Sequence, residues 1–384
     1  MGANTTKDSG RDLGADRIRV LAFILVPAVH FFLNSEYYST PISGMGMYLM
    51  TVVLTLCMTC VPLFILLTGY LESSREVPLS ARGLGRFYRK LISVYIIYLM
   101  VSVLILLFRL LVRGERLGGM AGLEAIFGFQ HYSWYVEMYL GLALLIPFLN
   151  MLWRNIRDLW GHRALLAALL VLSVLPSVMD MTGHALLPDW WKGLYPITYY
   201  CIGAYLREYD GTDAAGIRWI GRRSRPGKLF LFLSISVVLG GSYCVLRSGN
   251  GVYADGGWND WGSLMHTVDA VLLFQLVRSL GDSGDSGCSA WEGSIWTRLS
   301  SLTFAAYLLS WLPDQILYPI LNEHVPQMTL RFRFFLPLVL TSAGVSLILS
   351  AVITPAASAA SGMVLQCLKV FTERLRSDNF LNQL

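Results

Sequence analysis

Ten apolar runs divide this sequence, and each is close to the roughly 20 residues that a helix needs to cross a lipid bilayer. Charged residues make up only 14% of the chain, against about 25% in an ordinary soluble domain. A charge placed in hydrocarbon costs several kcal/mol, so segments that cross a bilayer carry few charged residues. The low charged fraction therefore excludes a water-soluble protein. The predicted fold is all-α: a polytopic membrane helix bundle with about ten transmembrane helices, at residues 18–36, 47–71, 91–112, 134–153, 164–181, 193–208, 228–247, 262–280, 300–320 and 332–356.

The distribution of lysine and arginine predicts how these helices are oriented. With a cytoplasmic N-terminus, 23 of the 30 basic residues fall in cytoplasmic segments and seven in outer ones. Basic residues in short loops concentrate on the cytoplasmic side of a membrane. The first 17 residues are polar, and no small-residue cleavage site follows the first apolar run, so that run is expected to remain as a span. We expect a multi-pass plasma-membrane protein with both termini cytoplasmic.

The chain is predicted to contain one membrane domain, residues 1–361, and a short tail, residues 362–384. Apolar residues in the tail recur at helical spacing opposite Lys369, Arg374 and Arg376; they are Val364, Leu365, Leu368, Phe371 and Leu375. Such an amphipathic helix is expected to lie along the inner membrane surface.

Cysteine and charge content exclude several classes of function. The six cysteines lack the paired spacing of a disulfide framework or a zinc site, and no metal is expected. The formal charge of +5 is small and dispersed, which argues against a nucleic-acid partner. The partner that hydropathy predicts is the lipid bilayer itself.

The first span carries an arginine and a histidine on one face. Arg19 and His30 are 11 residues apart, which places them about 20° apart around a helix and roughly 16 Å apart along it. Ionisable residues inside a span indicate a functional site. A packed histidine together with an ordinary inner-end arginine anchor is the alternative interpretation.

This pair and several later stretches resemble the acyltransferase-3 family of integral membrane acyltransferases. The family's hallmark is an arginine, ten intervening residues and a histidine in the first span. The segment Pro62–Leu71 is similar to the family's second-span motif, with Thr68 in place of the usual serine. Further landmarks occur in the expected order: Arg86–Lys90, Tyr132–Pro147, Ile202–Tyr205 and Ser301–Ser310. Many members have a histidine where this chain has Ser310, so that position is given no catalytic role.

The resemblance implies transfer of an acyl group, commonly acetyl from acetyl-CoA, to a hydroxyl of a carbohydrate, a lipid-linked glycan or another cell-envelope molecule. His30 is then the catalytic candidate, either as a general base for the attacking hydroxyl or as a nucleophile that carries the acyl group; Arg19 completes the catalytic pair. Two alternatives remain: a transporter or flippase of lipid-linked sugars, and an inactive structural homologue.

A histidine base is helped by a carboxylate that holds its second ring nitrogen. Three carboxylates are predicted at comparable depth: Glu137, Asp269 and Asp314. Glu137 and Asp269 are taken as catalytic candidates, and Asp269 shares a helix face with His266, three residues earlier. A structural hydrogen bond or ion pair between helices is the alternative for each of them.

The phosphates of the acyl-CoA donor require cationic partners. Arg82, Arg86, Arg89 and Lys90 lie largely on one side of a predicted helix, and the planar guanidinium group suits phosphate. We predict donor binding by Arg86, Arg89 and Lys90, with Arg19 at the mouth of the same groove. Ordinary positive-inside topology is the alternative explanation.

The outer loops are short and rich in aromatic residues. Trp134, Trp258 and Trp261 are predicted to bind the carbohydrate acceptor, because aromatic faces stack on sugar C–H surfaces. The loop at 249–261 also mixes glycine, acidic and amide residues. The interfacial aromatic belt common to membrane proteins is the alternative interpretation.

Overall fold

The computed structural model describes residues 11–129, 131–182, 187–209, 226–284 and 290–381. In those ranges the regular secondary structure is helical, without a β-strand. The α-helices, in chain order, are α1 Leu13–Asn34, α2 Gly44–Cys57, α3 Cys60–Glu72, α4 Ala81–Leu111, α5 Gly119–Phe127, α6 Trp134–Asn155, α7 Leu159–Ser173, α8 Leu175–Thr182, α9 Tyr195–Tyr209, α10 Pro226–Ser248, α11 Leu264–Gly284, α12 Ala290–Leu309, α13 Trp311–His324, α14 Met328–Arg331 and α15 Phe335–Leu381. The all-α membrane fold is confirmed.

The ten predicted spans each coincide with a helix or with a pair of consecutive helices. Six stretches of the described chain are long and apolar enough to cross a membrane: Gly44–Glu72, Ala81–Leu111, Trp134–Asn155, Leu159–Val178, Pro226–Ser248 and Met328–Val370. The other four predicted spans correspond to α1, α9, α11 and α12–α13. These helices are shorter or carry ionisable residues, and their crossing of the bilayer stays a prediction.

Helix α1 lies at the centre of the bundle, where it packs against α2, α3, α11, α12, α13 and α15. Asp12 is the N-cap residue of α1, and its side chain accepts a hydrogen bond from the backbone amide of Ala15. This bond satisfies one of the amide donors that have no partner within the first turn of a helix. Most of its apolar residues are buried; Phe31, for example, packs edge-on against Tyr318 of α13 and Phe335 of α15. The central position explains how α1 carries ionisable residues that contact other helices rather than lipid.

Two glycines bring α3 and α9 into backbone contact. A Cβ at Gly69 would overlap the carbonyl oxygen of Tyr200, and a Cβ at Gly203 would overlap that of Leu66. Small residues allow such close approach between membrane helices. These two glycines therefore fix how closely α3 and α9 can pack.

A buried arginine fastens the ends of α1 and α13 together. Arg331 of α14 is 2% exposed and donates to the carbonyl oxygen of Ser35, just after α1, at 2.7 Å. It also donates to the carbonyl oxygen of Val325, just after α13, at 2.6 Å, and to the carboxylate of Glu36 at 2.8 Å. We call this arrangement the Arg331 clamp.

Helix α15 continues as one helix from Phe335 to Leu381. The predicted boundary at residue 361 therefore coincides with no break in the backbone, and the separate amphipathic tail stays a prediction. Residues 382–384, at the end of that tail, lie outside the described residues, as do the side chains of residues 371–381, which include Phe371, Arg374, Leu375 and Arg376.

Candidate functional site

Arg19 and His30 lie on the same helix and contact different partners. The Arg19 guanidinium donates to the hydroxyl of Ser300 on α12 at 2.8 Å, and it lies 3.6 Å from the carboxylate of Asp16. His30, near the other end of α1, places Nδ1 2.7 Å from Oδ2 of Asp314 on α13. The two residues therefore mark two levels along one face of the bundle.

His30, Asp314 and Ser342 form a chain of hydrogen bonds across three helices. The second oxygen of Asp314 accepts from the hydroxyl of Ser342 on α15 at 2.9 Å. Asp314 is 2% exposed, whereas the His30 side chain keeps 21% of its surface accessible. With neutral imidazole, the bond to the carboxylate places the proton on Nδ1 and leaves a lone pair on Nε2. Within the described ranges no hydrogen bond to Nε2 is formed, so this nitrogen is available as a proton acceptor.

The carboxylate beside His30 is thus Asp314, and neither of the two carboxylates predicted as catalytic lies there. Glu137 is exposed in the first turn of α6. Asp269 is fully buried on α11; the Ser236 side chain of α10 lies beside it, without a completed hydrogen bond to either oxygen from the described groups. A helix break separates α12 from α13 at Ser310, and it brings Asp314 into the first turn of a new helix that faces α1. Sequence spacing alone does not reveal that break.

A cavity of about 280 Å³ begins at Arg19 and extends along α12. It lies among α1, α3, α4, α6 and α12, and its wall includes Arg19, Thr68, Tyr135, Tyr139, Phe304 and Tyr307. Arg19 is the charged side chain in this wall. A mostly apolar cavity with a few polar groups is typical of a small-molecule site.

The predicted donor-binding residues are divided between two places. Arg86 lines a separate cavity of about 250 Å³ together with Arg75 and Arg82. Arg89 and Lys90 are exposed on the same helix outside that cavity. Val94, one helical turn after Lys90, lines the Arg19 cavity. Helix α4 therefore connects the basic residues with the cavity.

Sequence reasoning missed a second basic cluster, around Tyr70. The guanidinium of Arg278 lies 4.4 Å from the centre of the Tyr70 ring, and that of Arg207 lies 5.0 Å from it. Arg278 also pairs with Asp12 at 3.1 Å. Burial, the largest single influence, would raise the pKa of Asp12. The charge of Arg278, the hydrogen bonds from Ala15 and Arg278 and the charge of Arg207 together outweigh it and hold that pKa below its ordinary value. The signal available in the sequence was the tyrosine of the second-span motif together with an arginine near the end of each of two later predicted spans.

The three predicted acceptor-binding tryptophans have different environments. Trp134 and Trp261 are half-buried and face each other, with ring centres 5.8 Å apart and planes inclined by 31°. Trp258 is 4% exposed and packs beneath the guanidinium of Arg247 at 4.8 Å. The structure therefore brings Trp134 and Trp261 together as a pair and places Trp258 inside the protein.

The loop at 249–261, which carries Trp258 and Trp261, is ordered by Asn259. Its amide donates to the hydroxyl of Tyr253 and to the carbonyl oxygen of Ala254, both at 3.0 Å. Burial, together with the negative charge of Asp260, raises the pKa of Asp255 in the same loop. These contacts give the loop a defined shape beside the Trp134–Trp261 pair.

Comparisons with known proteins give one result that bears on identity. No curated protein matches the chain, and no solved structure does either. A family model described as an acyltransferase domain matches residues 12–354, well over half of the chain. Together with the arginine and histidine of α1 at their characteristic spacing, this match shows that the chain belongs to the acyltransferase-3 family of membrane acyltransferases.

Proposed function

We propose that this protein transfers an acyl group, specifically acetyl, from acyl-CoA to a hydroxyl of a cell-envelope carbohydrate or lipid-linked glycan. The observation that carries the proposal is the 2.7 Å contact between Nδ1 of His30 and Asp314. It gives the histidine of the family motif an oriented ring with Nε2 directed away from the carboxylate, as a general base requires. Membership of an acyltransferase family favours this function over a transporter or flippase.

The reaction is a direct transfer with His30 as the base. The acceptor oxygen forms a bond to the acyl carbonyl carbon, and its proton moves to Nε2 of His30. The resulting imidazolium is stabilised by the carboxylate of Asp314, which Ser342 holds in place. The tetrahedral intermediate then collapses: the C–S bond breaks, and the CoA sulfur leaves with the proton from His30.

The donor enters from the cytoplasmic side in this scheme, because the distribution of lysine and arginine predicts a cytoplasmic location for the Arg19 end of α1. The CoA phosphates bind to Arg86, Arg89 and Lys90, and Arg19 binds the part of the donor that enters the cavity. Guanidinium groups suit phosphate because they donate two parallel hydrogen bonds. The acceptor approaches from the outer side, where Trp134 and Trp261 offer an aromatic surface for a sugar ring.

Radiolabelled acetyl-CoA tests the proposal on purified protein in detergent or proteoliposomes, with envelope glycans as acceptors. Wild type is expected to transfer label, His30→Ala to lose transfer, and Asp314→Asn to retain about 1% or less, the loss known for a mis-oriented histidine base. His324→Ala is the matched control, since His324 is exposed at the end of α13. The proposal fails if wild type neither binds nor consumes acetyl-CoA, or if His30→Ala and His324→Ala behave alike.

The same experiment separates the general-base route from an acyl-histidine route. Incubation of wild type with labelled acetyl-CoA in the absence of acceptor leaves the protein unlabelled if His30 acts only as a base. Label that stays on His30 after rapid denaturation would instead assign it the role of acyl carrier.

A further inference from the structure

The Tyr307 side chain has two properties on which the direct transfer by His30 does not depend. It lines the Arg19 cavity, and no hydrogen bond to its hydroxyl is completed in the described part of the chain, although the backbone of Tyr135 lies beside it. The residue is 8% exposed. Buried hydroxyl groups normally find a partner, and an exception calls for an explanation.

The position of Tyr307 along the bundle suggests what that partner is. Helices α1 and α12 run side by side, and Arg19 and Ser300 mark one shared level at their 2.8 Å contact. A rise of about 1.5 Å per residue places Tyr307 roughly 10 Å beyond that level and His30 roughly 16 Å beyond it. Along the helix axes, Tyr307 therefore lies between the levels of Arg19 and His30, about one helical turn short of His30.

We propose that the Tyr307 hydroxyl donates a hydrogen bond to the carbonyl oxygen of the acyl thioester. This inference rests on the proposed function, because it requires acyl-CoA in the cavity. When the acceptor oxygen bonds to the carbonyl carbon, the carbonyl electron pair moves onto that oxygen, and the hydrogen bond from Tyr307 strengthens as negative charge develops. When the C–S bond breaks, the pair returns to form the product ester. Tyr307 is thus a catalytic residue that touches the reacting group.

A pair of donor analogues tests this contact without an acceptor. Acetyl-CoA carries the carbonyl oxygen, whereas S-ethyl-CoA has a CH₂ group in place of the carbonyl and is otherwise the same. Wild type is expected to bind acetyl-CoA about fivefold more tightly, the value of one ordinary hydrogen bond. In Tyr307→Phe the two Kd values are expected to be equal within a factor of two.

Tyr318→Phe is the matched control. The Tyr318 hydroxyl is likewise buried with no hydrogen bond to a described group, but Tyr318 belongs to α13 and is not part of the cavity wall. This variant should keep the fivefold preference and the wild-type rate. With an acceptor present, Tyr307→Phe should lower kcat by about tenfold to a hundredfold, within the range for loss of an oxyanion donor, and change KM for acetyl-CoA far less.

The outcomes separate the inference from the function on which it rests. Equal binding of the two analogues by wild type, or an unchanged preference in Tyr307→Phe, overturns the role of Tyr307 while leaving His30-dependent transfer intact. Failure of wild type to bind either analogue overturns the proposed function, and the role of Tyr307 with it.

Discussion

Replacement of Arg331 by methionine should destabilise the protein and disturb the site, since the Arg331 clamp joins the ends of the two helices that carry His30 and Asp314. Methionine fills much of the same volume but donates no hydrogen bond. Three bonds shorter than 3.0 Å are lost, to Val325, Ser35 and Glu36. Glu36 is 59% exposed, so its part of the loss is small.

The main cost comes from the backbone carbonyl groups of Val325 and Ser35, because the two further bonds, to the carbonyl oxygens of Asn322 and Pro326, are longer, at 3.4 and 3.3 Å. Bonds from a charged donor contribute about 1.5–3 kcal/mol each, so the substitution should cost about 3–6 kcal/mol. With an unfolding entropy of about 2.1 cal/mol/K per residue, this corresponds to a melting temperature about 4–7 °C lower. Arg331→Lys retains one charged donor group and should recover roughly half of the loss.

Thermal unfolding in detergent, followed by intrinsic tryptophan fluorescence, measures this difference. Arg333→Met is the matched control, because Arg333 is exposed two residues further along. Melting temperatures within about 1 °C of each other for the two methionine variants would refute the reasoning. Acetyl transfer by Arg331→Met, measured well below its melting temperature, should also fall, because the clamp sets the distance between α1 and α13.

Two further predictions follow from contacts outside the clamp. Gly203→Ala should lower the melting temperature or prevent folding, because its Cβ would overlap the carbonyl oxygen of Leu66; Gly141→Ala, whose Cβ meets open space, is the control for the same measurement. The lowered pKa of Asp12 means that its pairing with Arg278 stabilises the fold above the ordinary aspartate pKa and is lost as pH falls through the lower folded value. Melting temperatures between about pH 6 and pH 3 should therefore fall less steeply in Asp12→Asn than in wild type, and parallel curves would contradict this assignment.

The helical bundle was predictable because hydropathy reports directly on the lipid environment. Helical periodicity likewise placed Arg19 and His30 on one face. Both inferences depend on residues close together in the sequence, and for these the geometry of a single helix is sufficient.

The partners of these residues were not predictable in the same way. Asp314 was one of three carboxylates at a similar depth, and the choice among them depends on the helix break at Ser310. Trp258 and Trp261 lie three residues apart in one loop, yet only Trp261 faces Trp134. Selecting among such neighbours requires the packing of helices that are distant in sequence.

In the second-span motif, the contacts of three consecutive residues were likewise not predictable from the sequence. Thr68 lines the cavity, Gly69 contacts the backbone of α9, and Tyr70 lies beneath two guanidinium groups. The sequence resemblance identified the motif as a unit. The three separate roles follow from the different directions in which adjacent helical residues point.

The hydrogen-bond chain of His30 also determines when the site can first exist during synthesis. His30 is made with the first helix, but Asp314 follows it by 284 residues, and Ser342 follows Asp314 by another 28. Most of the membrane helices must be translated and inserted before the histidine meets its carboxylate. A nascent or truncated chain that ends before α13 therefore contains the motif arginine and histidine without the carboxylate that holds the His30 ring.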